Sequence, residues 1–180
     1  IQEDNKKADA ALEEIRRLTP LNHFIRFEKY RRTRADADKK RFVAAIQNEM
    51  KHETYLQLSD WYASLGQLEE SIEVLTLAPE RPEVYYRTAF LKDKLKIGSG
   101  KDDIGKANAL SPSLVFPFRS SSAETLEWVI TQSGDWKPKY YLGLIYWSRN
   151  NTGRAKELFA KCGDPDFAPF YPARAQLYKN

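Results

Sequence analysis

Cysteine is almost missing from this sequence: Cys162 is the only one in 180 residues. No internal disulfide, zinc knuckle or Cys-x-x-Cys redox pair can therefore be built within the chain. That scarcity suits a reducing compartment, and cytoplasmic residence is the expectation it sets. Histidine is nearly as scarce, at two residues. A zincin needs two histidines four apart on one helix; His52 stands beside Glu49 and Glu53, but position 56 is leucine. His23, next to Phe24, reads as a packing residue. No Ser, His and Asp order offers a nucleophilic triad, so no catalytic residue, no metal and no cofactor is expected. Long apolar runs are absent too, the longest being residues 140–148, far short of the roughly 20 needed to cross a bilayer. Val and Ile together number 14 against 18 Leu and 18 Ala. A shortage of β-branched side chains argues against an all-β fold and for helix.

What is present is a globular balance of 42% hydrophobic and 30% charged residues. Apolar residues recur at helical spacing from the start, with Ala8, Ala11, Leu12, Ile15 and Leu18 on one stripe. Because the chain opens on Ile1 already in such a pattern, it reads as a fragment of a longer protein. Thr19 and Pro20 predict an N-cap and first position for a second helix through Leu21, Phe24, Phe27 and Tyr30. Asp36 predicts the cap of a third, carrying Phe42, Val43, Ile46 and Met50. Helix pairs split by turns follow: residues 53–65 and 69–78 around Gly66, then 137–149 and 153–162 around Asn150 and Asn151, with Thr152 as cap. Between them lie helices over 83–95, a weaker one over 102–110, and one over 123–133 with Ser121 and Glu124 at capping-box spacing.

The two clear pairs share a pattern. Tyr55, Leu58, Ser59, Tyr62, Gly66, Ser71, Leu75 and Ala78 mark the first, and Leu142, Gly143, Tyr146, Ala155, Phe159 and Cys162 the last. In these residues the chain resembles the tetratricopeptide repeat family, a helix-turn-helix unit of 34 residues; Tyr85, Ala89, Ala107, Leu110 and Pro112 form a degenerate middle unit. The resemblance implies an all-α, right-handed superhelical stack, an α-solenoid of about nine or ten helices. It would be one domain over 1–180, with N-terminal helices over 1–50, repeat units over 53–162 and a closing helix over 167–180. Gly143 and Ala155 would face each other where two helices approach closely. A narrower resemblance, carried by LNHFIRFEKY from Leu21, SPSLVFPFR from Ser111 and WKPKYYLGLIYWSR from Trp136, is to the helical portion of large bacterial proteins in which a β-sandwich, similar to carbohydrate-active domains, precedes the repeats.

The repeat resemblance implies that the first helix of each pair lines a groove, which would expose Leu56, Asp60, Tyr86, Phe90, Tyr140, Leu144 and Trp147 to a protein or peptide segment, or to an adjacent domain. The lysine, asparagine and arginine of carboxylate-clamp arrays are not matched, since Leu56, Asp60, Pro138 and Tyr141 stand there. A phosphate loop is excluded at Gly98 to Asp102, where a Walker motif would require glycine in place of Leu95 and Ser or Thr in place of Asp102. Charge is uneven: Arg26, Lys29, Arg31, Arg32, Arg34, Lys39, Lys40 and Arg41 face only Glu28, Asp36 and Asp38, a segment of +5 in a chain of +4. That patch could meet phosphate, or be a solvated helix face. The function expected is a non-catalytic interaction or domain-packing scaffold. The alternatives are an accessory region of a carbohydrate-processing enzyme and a nucleic-acid-binding helical domain.

Overall fold

Helix breakers in the chain set the element order, and the computed structural model describes residues 2–178. Ile1 and residues 179 and 180 of the expected closing helix lie outside the described residues. The elements are α1 (Gln2–Leu18), α2 (His23–Thr33), α3 (Asp36–Ala45), α4 (Lys51–Ser64), α5 (Leu68–Leu75), α6 (Pro82–Leu95), α7 (Lys101–Ala109), α8 (Ser120–Gln132), α9 (Trp136–Ser148), α10 (Thr152–Ala160), α11 (Phe170–Ala175) and a 3-10 turn over Gln176–Tyr178. The described residues are thus all-α, with eleven α-helices and no strand. Where one domain was expected, the chain forms two compact units that divide between Leu58 and Ser59, inside α4.

In the first unit Phe27, Phe42 and Tyr55 stack in series, with ring centroids 5.2 and 5.7 Å apart, and Ile25 and Ile46 complete the buried set. Several caps differ from expectation. Asn22, not Thr19, begins α2, its Oδ1 accepting from the Phe24 N–H at 2.9 Å. Thr19 instead donates its hydroxyl back to Ile15 O, the local competition that Thr side chains offer at a helix end. Ala35 rather than Asp36 is the N-cap of α3, which stops at Ala45 and leaves Val43 and Met50 exposed.

In the second unit consecutive helices pair, α6 with α7 and α9 with α10. The N-cap of α9 is Asp135, which accepts from the Lys137 N–H at 2.8 Å. That of α10 is Asn151, one residue before the expected Thr152, because its side-chain oxygen reaches the Arg154 N–H. The capping box of α8 is absent: the helix starts at Ser120 with Arg119 as N-cap, since Ser121 and Glu124 are drawn to other helices. Gly100, in the excluded phosphate-loop segment, has a structural task. It opens α7 at φ 64°, and a Cβ there would meet Ala89 O at 2.9 Å, so only glycine lets α7 turn so tightly onto α6.

Two small-residue contacts define the repeat geometry. Ser59 and Ser71 are fully buried between α4 and α5, their hydroxyls 2.7 Å apart, with Ser71 also donating to Ser59 O. Between α9 and α10 the side chain nearest Gly143 is Phe159: a Cβ on Gly143 would lie 2.7 Å from Phe159 Cδ1. Phe159 is one helical turn beyond Ala155 on the same face, and its ring covers the glycine. Phe170 of α11 closes the core against Phe159, Tyr140 and Trp136. Cys162 is buried there, and burial pushes its thiol up to about 12, as a core side chain rather than a reactive one.

Candidate functional site

The aromatic strip expected from repeat spacing is not a surface. Leu56, Tyr86, Phe90 and Tyr140 are buried, and Leu144 and Trp147 are half-buried. Trp147 was expected to point away from the helix contact, yet it stands edge-on to Phe159 at 6.0 Å and supports it. Tyr140 is enclosed by Trp136, Phe167 and Phe170 and donates its hydroxyl to Pro169 O. Tyr86 donates to Asn108 Oδ1 at 2.6 Å, and burial raises its phenol well above the ordinary range. Phe90 and Tyr140 face inward because Trp128 of α8 and Phe170 of α11 cover them, while Tyr86 and Trp147 are engaged by α7 and α10 within their own pairs.

Asp60, by contrast, lines an open cleft. The cleft holds about 330 Å³ and gathers Asp60 of α4, Arg87 and Lys94 of α6, and Ser120, Ser121 and Glu124 of α8. Arg87 and Lys94 sit seven residues apart, two turns along one face of α6. Arg87 is only 6% exposed; its Nη2 pairs with Asp60 at 3.0 Å and its Nη1 donates to Thr125 Oγ1 at 3.2 Å. Ser121 donates to the other Asp60 oxygen at 2.6 Å, and Lys94 pairs with Glu124 at 2.7 Å. Burial lowers the Arg87 guanidinium from its ordinary value, while Asp60 and then Glu124 act against that shift. Phe90 lies under both cations, 5.6 Å from Arg87 and 4.5 Å from Lys94, and 5.7 Å from Trp128. Each charge has its counter-charge, so the cluster locks α4, α6 and α8 together. No histidine or cysteine lines the cleft, and no group of three metal-ligating side chains occurs among the described residues. The sequence signal that could have found Arg87 was its heptad spacing to Lys94; nothing local linked it to Asp60 or Ser121.

The strongest exposed apolar feature is the segment joining α7 to α8. Leu114, Phe116 and Phe118 point outward at 70%, 58% and 60% exposure, while Val115 and Pro117 between them are buried. The segment is held at several points. Lys137 donates to the carbonyls of Asn108 and Leu110 at the end of α7, Arg81 donates to Leu114 O, and Arg149 donates to Phe118 O at 3.1 Å. Leu114 lies at φ 58°, a conformation that costs a leucine about 1 kcal/mol or more. Arg119 stacks over Phe118 at 5.0 Å.

In the first unit four of the eight bases in the basic run pair with carboxylates, and the run keeps its net positive charge. Arg31 pairs with Glu28, Arg32 with Asp9, and Lys29 and Arg41 with Asp38, while Arg34 stands over Tyr30 at 5.9 Å. Arg26 is half-buried, and Lys39 and Lys40 are exposed. Hydrogen bonding from Thr33 holds the Asp38 carboxyl below its ordinary value, with Lys29 and Arg41 adding to it. A basic run paired in part with carboxylates meets phosphate through exposed charges alone, which salt screens. Electrophoretic mobility shift at near-physiological salt is expected to show at most weak association that vanishes as salt rises; a complex surviving high salt would contradict this.

Residues 52–79 match the family model described as tetratricopeptide repeat, the stretch that holds all of α4 but Lys51, α5 and the buried Ser59–Ser71 contact. No curated protein and no solved structure matches the chain. No helix among the described residues is long and apolar enough to cross a membrane.

Proposed function

We propose that this chain is a non-catalytic interaction or domain-packing scaffold, built of tetratricopeptide-like helix pairs, that offers the segment 114–118 to an apolar surface of another protein or of an adjacent domain. The observation that carries this reading is the outward display of Leu114, Phe116 and Phe118 on backbone pinned by Arg81 and Arg149. Apolar groups held rigidly in water gain on docking without a large ordering cost. Tetratricopeptide repeats commonly mediate protein association, which agrees with it. The resemblance to helical portions of larger bacterial proteins favours the domain-packing form of the same reading. Asp60 and its cleft lie on the face expected to bind, but their paired charges serve cohesion first.

The test is a triple variant, Leu114→Ser, Phe116→Ser and Phe118→Ser. Helical content and melting temperature should stay close to wild type, because the three side chains are exposed. Cross-linking to the partner or adjacent domain should be lost. Undiminished cross-linking in a folded variant would place the contact surface elsewhere.

A further inference from the structure

We draw no further inference here: the strongest candidate, the cleft of about 330 Å³ between α4, α6 and α8, belongs to the site already described, where Arg87 and Lys94 are taken up by Asp60 and Glu124, and nothing in the structure points to a ligand for it.

Discussion

Leucine in place of Gly143 is expected to destabilise the second unit by about 3 kcal/mol, the upper end of the usual overpacking range. The reason is the absence of any room for relief. Phe159, whose ring a Cβ at 143 would strike, is fully buried and bounded by Tyr140, Trp147 and Phe170. For a chain of this size the melting temperature should fall by roughly 2–4 °C per kcal/mol. Gly143→Ala should already show a smaller loss, and combining it with Phe159→Leu should recover part of that loss by removing the atoms that collide. Urea denaturation of the three variants measures this. An unchanged midpoint in Gly143→Leu would mean that α9 and α10 do not pack through the glycine.

Removal of Asp60 is expected to cost about 3–5 kcal/mol, because the partner left behind, Arg87, is almost wholly buried. Thr125 would remain as an acceptor, but a hydroxyl does not neutralise a guanidinium. The informative comparison is with Asp60→Ala combined with Arg87→Met. If the penalty comes from an uncompensated buried charge, taking away both charges should return most of the stability lost in the single variant. If the double variant is as unstable as Asp60→Ala, shape rather than charge governs the site, and Ser121, which loses its acceptor either way, becomes the more important link. Denaturant midpoints in low and high salt separate the two cases, since a buried pair is little screened.

The local grammar of the fold was legible residue by residue. Gly66, with φ 75°, and the Asn150–Asn151 turn stand between helices where their chemistry demands, because helix termination depends on the few residues around it. The small positions Ser59, Ser71 and Gly143 were legible from their spacing around a turn, whereas the atoms nearest each, the Phe159 ring on Gly143 and the Ser59–Ser71 hydroxyl pair, were not. Caps were less so. Asn22 and Asn151 displaced Thr19 and Thr152 by a few residues, a choice between neighbouring candidates that differ by little free energy.

What only tertiary structure decided was the fate of each apolar face. Spacing identifies a stripe as apolar and is silent on what covers it. Phe90 and Tyr140 read as a surface in an isolated pair and became interior where Trp128 of α8 and Phe170 of α11 packed on them, while Tyr86 and Trp147 turned onto Asn108 and Phe159 of their own partner helices. The Asp60–Arg87–Ser121 cluster and the Arg81 and Arg149 grips on the 114–118 segment join residues dozens apart in sequence. Such contacts depend on where whole helices lie. A helix's existence follows from interactions within about four residues, whereas the exposure of its side chains follows from neighbours that local sequence does not specify.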